Sequence, residues 1–178
     1  MKRYYNFIFP LLILTISLPL QSQNAELFFK AAGSPANPRV QASWNKYYTY
    51  DGITEVCKKL AKEYPDLVTM ESAGKSYQGR EIIALTISDK KAGNPDFKPG
   101  FYIDGNIHSN EIQGTEMALY TAWYLCEMYD ENKFIKELLK DKTFYILPTI
   151  HPDARQYFMD EPNTASSPRS GLVPMDND

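Results

Sequence analysis

Histidine and cysteine are scarce in this chain of 178 residues, and the chain has no excess of positive charge. There are two histidines, His108 and His151, so a site that depends on imidazole must use one of these two positions. The formal net charge of −3 and the pI near 5.5 exclude the basic footprint typical of a nucleic-acid-binding protein. The two cysteines, Cys57 and Cys126, fall on the apolar sides of predicted helices. An oxidising compartment would permit a disulfide, but two buried free thiols explain the pattern at least as well.

Long apolar runs are also absent, with one exception at the N-terminus. Lys2 and Arg3 precede an apolar stretch over 7–20, and polar residues follow at 21–24. This layout predicts a secretory signal peptide over residues 1–22 and hence a secreted or periplasmic protein. The alternative is a membrane anchor, but the run is shorter than the roughly 20 apolar residues that span a bilayer, so no stable membrane span is expected. Residues 23–178 are long enough for one domain with its own core.

The rest of the chain alternates between helical and strand patterns. Residues 23–46 are polar and contain proline, which predicts an extended lead-in. Apolar residues at steps of three and four predict helices, and short β-rich apolar runs between turn residues predict strands. This order indicates an α/β fold with a mixed, mostly parallel β-sheet flanked by helices. The predicted helices cover 51–64, 111–129 and 132–139, the predicted strands cover 67–73, 81–88, 100–106 and 143–150, and an irregular loop follows from 160.

The stretch GFYIDGNIHSNEIQGTEMALYTAWYL, residues 100–125, carries the clearest chemical signal. A buried strand is predicted to end near Asn106, and a helix is predicted to begin at Glu111, with Asn110 as its N-cap and Gln113 completing a capping box. His108 and Glu111 then lie where a strand's carboxyl end meets a helix N-terminus, a common ligand site in α/β sheets. An imidazole and a carboxylate three positions apart can address one metal ion. The alternative is a polar loop histidine beside a glutamate that the helix dipole favours.

Two further motifs accompany this one in a characteristic order. Residues 74–82 read GKSYQGREI, residues 105–111 read GNIHSNE, and residues 151–153 read HPD at the end of a strand. Together they resemble the zinc carboxypeptidase family, the carboxypeptidase A-like metallopeptidases, over about residues 47–169. The resemblance implies a Zn²⁺ ion held by His108, Glu111 and a second histidine, with a water molecule in the fourth position. It also implies a separate glutamate as general base and an arginine that stabilises the oxyanion.

The sequence departs from the family pattern in several places. In the family the second zinc histidine, the general base and the Asn–Arg pair that binds the substrate carboxylate lie well downstream of the third motif. Residues 47–178 are therefore interpreted as the N-terminal portion of a zinc carboxypeptidase-like catalytic domain. His151 stands where the family has asparagine, which leaves a ligand role or a local loop role open. The resemblance places the oxyanion arginine near Arg169, whereas Arg155 is interpreted as a loop residue. The substrate-binding residues stay unknown.

These observations predict a secreted zinc metallocarboxypeptidase that hydrolyses the C-terminal bond of a peptide or protein substrate. The chain is expected to be an N-terminal fragment that lacks the third zinc ligand and the general base, and so to be inactive alone. Two alternatives stay open. One is an exported protein that binds peptide or carbohydrate without catalysis. The other is a zinc amidase that acts on cell-wall or modified peptides.

Overall fold

The computed structural model describes residues 33–161. Within this range a helix is followed by three strands, two helices, a strand and a final helix. The first seven of these elements follow the predicted order. Two short 3₁₀ turns, Lys90–Ala92 and Pro95–Phe97, lie between the second and third strands. The elements in chain order are α1 (Tyr50–Glu63), β1 (Val68–Lys75), β2 (Glu81–Ile87), β3 (Gly100–Asp104), α2 (Gln113–Glu127), α3 (Lys133–Asp141), β4 (Thr143–Leu147) and α4 (Pro152–Asp160).

Helices α1 and α3 form where local signals are strong. Helix α1 buries one face, and the Thr49 side chain caps its start by accepting from Gly52 N. Pro65 follows its C-terminus, where it cannot continue a helix. The Asn132 side chain caps α3 by accepting from the backbone N–H groups of Phe134 and Ile135. The caps and the apolar spacing therefore account for these two helices. The buried face of α1 consists of Ile53, Val56, Cys57 and Leu60.

The sheet is mixed, with the strand order β1-β2-β4-β3. Strands β1 and β2 are antiparallel, β2 and β4 are antiparallel, and β3 and β4 are parallel. The α/β class and the mixed sheet are confirmed, but among the described strands the expected parallel majority is wrong. The short turn between β1 and β2 permits only an antiparallel pair, whereas α2 and α3 provide the long crossover that a parallel pair requires.

The core lies between the sheet and helices α1 and α2. Alternate residues of β2 and β4 point into it and are buried, while their neighbours on the other face are half-buried except for Thr143, which is buried too. Strand β3 differs from the expected buried strand, because Phe101 and Tyr102 are 50% and 63% exposed. Among the described strands, β3 pairs with β4 alone. In the same part of the chain no helix has the length and apolar character needed to cross a bilayer.

The lead-in takes part in the core although residues 33–46 form no helix or strand. Val40 is 1% exposed. Its carbonyl accepts from Trp123 Nε1 at 2.7 Å, and its N–H donates to Glu127 Oε1 at 2.7 Å. The N–H of Arg39 donates to Glu127 Oε2 at 2.9 Å. Two side chains of α2 therefore attach the lead-in to the domain.

Cys57 and Cys126 are both free and buried, so the structure favours the thiol interpretation over the disulfide. Burial raises the pKa of the Cys57 thiol to about 12 and raises the pKa of Cys126 as well. We expect neither thiol to react with Ellman's reagent at pH 8 in the native protein, because the thiolate is the reactive form. Both should react in denaturant. Rapid reaction of one thiol in the native protein would contradict this prediction.

Candidate metal centre

The loop that follows β3 is built on a close approach of three backbone segments at Gly105. Gly105 N donates to Leu147 O at 3.1 Å, and Gly105 O accepts from Ile150 N at 3.1 Å. A Cβ atom at this position would lie 2.6 Å from both Gly114 O and Pro148 O. Only glycine fits here, so the first residue of the GNIHSNE motif fixes the loop against α2 and the end of β4.

Asn106 shapes the next part of the loop. It adopts the left-handed conformation with φ of 57°, which asparagine tolerates better than most residues. Its Nδ2 donates to the backbone carbonyls of His108 and Ser109, the second at 3.3 Å. Asn106 is 3% exposed, so these bonds are sheltered from water. The asparagine side chain therefore holds the backbone that carries His108.

Helix α2 begins later than the sequence predicted. It starts at Gln113, its N-cap is Ile112 in a helical conformation, and no side chain caps it. The predicted capping box of Asn110 and Gln113 is therefore wrong. Backbone turns precede the helix instead, with Glu111 N donating to His108 O at 3.2 Å. Gly114 N and Thr115 N then donate to Glu111 O and Ile112 O at 3.1 and 3.2 Å, so backbone carbonyls satisfy these N–H groups without a side-chain cap.

His108 and Glu111 meet at this turn. His108 Nδ1 lies 3.0 Å from Glu111 Oε2, and the two side chains are 40% and 46% exposed. An imidazole nitrogen and a carboxylate oxygen are both zinc ligands at about 2.0–2.2 Å, so two such atoms 3.0 Å apart can share one tetrahedral ion. The donor chemistry and the separation both fit Zn²⁺. Among residues 33–161, however, no group of three or more His, Cys, Asp or Glu side chains forms a complete metal site.

Arg155 lies directly behind the loop and was not expected there. The sequence placed it in a loop, but it belongs to α4 and its side chain is fully buried. Its Nη1 donates to Asn106 Oδ1 at 3.2 Å and to Ile112 O at 2.7 Å. Its Nη2 pairs with Glu116 Oε1 at 2.5 Å. The local signals for α4 were present in Pro152 at its first turn and Asp153 beside it, but the loop interpretation overlooked them.

Asp153 joins the first and third motifs. Its Oδ1 accepts from Ser76 Oγ at 2.8 Å and from Arg80 Nη1 at 2.6 Å, and its Oδ2 accepts from Gln78 N at 2.9 Å. These donors all belong to the GKSYQGREI stretch, and Asp153 is 5% exposed. The serine, the arginine and the aspartate of the motifs therefore form one polar cluster that fastens the β1–β2 turn to α4.

Known proteins resemble this chain in sequence and in fold. A family model described as zinc carboxypeptidase matches residues 53–170. The chain belongs to the zinc carboxypeptidase family. The family predicted from the three ordered motifs is thus confirmed, and it is a family of metallocarboxypeptidases.

Two relatives show how much of the family's length the chain covers. The carboxypeptidase N catalytic chain of Rattus norvegicus is 30% identical over 122 residues, which are 67% of this chain and 27% of that protein. Carboxypeptidase D of Mus musculus is 31% identical over 122 residues, which are 68% of this chain and 9% of that protein. The chain therefore spans about a quarter or less of the length of these zinc carboxypeptidase relatives.

Solved structures agree with the family fold. Bovine thrombin-activatable fibrinolysis inhibitor, in complex with tick carboxypeptidase inhibitor, superposes with a TM-score of 0.62 at 22% identity, over 75% of this chain and 40% of that chain. Carboxypeptidase A from Helicoverpa armigera superposes with a TM-score of 0.59 at 26% identity, over 73% of this chain and 31% of that chain. The α/β arrangement described above is therefore that of zinc carboxypeptidases.

The other residues that the sequence analysis considered for the site, His151 and Arg169, are not on the loop that carries His108 and Glu111. His151 is the N-cap of α4, and its Nδ1 accepts from Ala154 N at 3.3 Å. This is a local structural role, at the position where the family has asparagine. Arg169, predicted to stabilise the oxyanion, and residues 1–22, predicted to be a signal peptide, lie outside the described residues.

The Asp153 cluster leads to a pH prediction. Burial raises the pKa of Asp153, but the hydrogen bonds from Gln78, Arg80 and Ser76 outweigh this and hold it below the ordinary value of 3.8. The cluster therefore stabilises the fold above pH 4, and this contribution is lost as the pH falls through the folded-state pKa.

We expect Asp153→Asn to lower the unfolding free energy by about 2 kcal/mol at pH 7. The gap to the wild type should shrink as the pH falls from 5 towards 2, as measured by urea denaturation at each pH. Asp160→Asn, at the exposed end of the same helix, controls for the change in net charge. A gap that stays constant over this range would contradict the prediction.

Proposed function

We propose that this chain is part of an exported, zinc-dependent carboxypeptidase that removes the C-terminal residue of a peptide or protein. The observation that supports this most directly is the 3.0 Å approach of His108 Nδ1 and Glu111 Oε2, on the loop after β3, in a chain of the zinc carboxypeptidase family. Both donors are half-exposed, so a metal ion and a substrate can reach them. The predicted signal peptide over residues 1–22 supports export.

In this proposal His108 and Glu111 hold the zinc ion through Nδ1 and a carboxylate oxygen. When bound, the ion supplies a Lewis acid and lowers the pKa of a bound water molecule. The third ligand and the general base are proposed to lie downstream of the third motif, as the family resemblance implies. Arg169 is the proposed oxyanion donor on the basis of the family resemblance. Residues 47–178 are the proposed N-terminal portion of the catalytic domain.

The test is made on the protein as its own host secretes it. The wild type is expected to carry one zinc ion per chain and to hydrolyse a peptide with a free C-terminus, but not the same peptide with an amidated C-terminus. His108→Ala should lose both the zinc and the hydrolysis, because a catalytic zinc site normally needs three protein ligands.

His151→Ala is the matched control, because His151 is the other histidine of the chain and caps α4. It should retain the zinc. A His108→Ala protein that keeps its zinc and its activity would contradict the proposed site. Equal hydrolysis of the free and amidated peptides would contradict the carboxypeptidase specificity while leaving the zinc site intact.

A further inference from the structure

Arg155 connects three separate segments behind the candidate metal centre. Its guanidinium donates to Tyr48 O from Nε at 3.1 Å and from Nη2 at 2.7 Å. The same group reaches Asn106 Oδ1 and Ile112 O in the loop and Glu116 Oε1 in α2. The planar fork of arginine makes these contacts simultaneously, which a lysine ammonium cannot reproduce. Arg155 therefore connects Tyr48 just before α1, the loop after β3, and α2.

This buried ion pair is poorly suited to stability alone. Taking a guanidinium and a carboxylate out of water is costly, and such a pair often contributes less than apolar residues of the same volume would. Burial lowers the pKa of Arg155, and the charge of Glu116 offsets this in part. Glu116 Oε2 is buried without a hydrogen-bond partner among the described residues. A role in fixing a geometry explains such a pair better than a role in stabilising the fold.

The geometry that it fixes is that of the two zinc donors. Asn106 accepts from Arg155 through Oδ1 and donates through Nδ2 to the carbonyls of His108 and Ser109. On the other side, Arg155 holds the carbonyl of Ile112, the residue next to Glu111. The backbone is thus restrained at His108 and immediately after Glu111. The distance between the two donor side chains depends on these restraints.

We propose that Arg155 is a positioning residue that acts through Asn106 and Ile112 to hold His108 and Glu111 at the separation one zinc ion requires. This inference rests on the proposed zinc role of those two residues. Outer groups that orient metal ligands typically change metal affinity 10- to 100-fold when they are replaced. Loss of the Arg155 contacts should therefore weaken zinc binding even when the fold persists.

The test compares paired variants of the host-produced protein after its metal has been removed. Zinc affinity is measured by competition with a chromophoric chelator, and thermal unfolding of the metal-free protein is recorded in parallel. Glu116→Gln and Glu127→Gln form a matched pair. Both glutamates lie on α2 and accept from backbone N–H groups of the segment before α1, but only Glu116 contacts Arg155. Arg155→Lys keeps the positive charge and loses the fork. Asn106→Asp keeps the acceptor for Arg155 and loses the donor to the His108 carbonyl.

We expect Arg155→Lys, Glu116→Gln and Asn106→Asp each to weaken zinc binding about 10- to 100-fold. Glu127→Gln should lower the melting temperature and leave the zinc affinity unchanged. The result for Asn106→Asp is especially informative, because added negative charge alone would tighten zinc binding. Wild-type affinity in a folded Arg155→Lys or Asn106→Asp protein overturns the positioning role and leaves the proposed function standing. A wild type that binds zinc no more tightly than His108→Ala overturns both.

Discussion

Gly105→Ala is expected to lower the free energy of unfolding by about 3 kcal/mol, at the upper end of the cost of overpacking a close-packed site. The added Cβ would lie 2.6 Å from the carbonyl oxygens of Gly114 and Pro148. Both neighbours are backbone atoms, one just inside α2 and one just past β4, so neither can move without shifting an element of the fold. Urea denaturation of the wild type and the variant measures the difference.

Gly100→Ala is the matched control at the other end of β3. Its Cβ would meet the ring of Tyr145 at 2.9 Å, but that ring is a half-buried side chain that can shift. We expect a change below about 1 kcal/mol, as for most substitutions without a buried clash. Similar losses for both variants would contradict the view that the backbone contact at Gly105 is what excludes alanine.

Trp123→Ala is expected to cost about 3–5 kcal/mol, the usual range for removing a large buried aromatic side chain. Trp123 is 1% exposed, and its ring lies 5.3 Å from the Trp44 ring. Its Nε1 also binds the carbonyl of Val40, so the substitution removes core volume and releases the lead-in together. Besides urea denaturation, limited trypsin digestion should show faster cleavage after Arg39.

Trp123→Phe separates the two effects, because it keeps an aromatic ring in the core and leaves the Val40 carbonyl without its donor. We expect a loss of about 1–3 kcal/mol, the cost of an unsatisfied buried acceptor. Cleavage after Arg39 should rise in this variant too. If only Trp123→Ala exposed Arg39 to trypsin, packing rather than the hydrogen bond would hold the lead-in.

Contacts between residues close in the sequence could be predicted at this site, whereas contacts between distant residues could not. The approach of His108 to Glu111 could be predicted from the sequence, because both lie in one short turn where a spacing of three residues brings the side chains together. The partners of Arg155 lie 39 residues away at Glu116 and 107 away at Tyr48. No periodicity or local motif encodes such contacts. The contacts of Arg155 behind the loop could therefore not be predicted, whereas its placement in a loop was an error because Pro152 and Asp153 are local signals of a helix start.

The errors in the fold have a similar origin. The capping box at Asn110 was chemically reasonable, but the N–H groups of Glu111, Gly114 and Thr115 bond to backbone carbonyls three residues earlier, in turns that the sequence pattern did not indicate. The strands themselves were predicted from their apolar runs, whereas their order was not. Strand β4 inserts between β2 and β3, and this depends on which neighbours bury the most surface and not on any one segment's pattern.

The position of β4 also affects the order in which the described strands can pair during folding. Strands β1 and β2 are joined by a short turn and can pair locally. Strand β3 pairs, among the described strands, with β4 alone, and β4 is made after α2 and α3. His108 and Glu111 therefore follow a strand whose described partner lies later in the chain. Non-local pairing of this kind is slow compared with hairpin formation. We therefore expect the turn that carries the two proposed zinc donors to be among the last parts of the described fold to form.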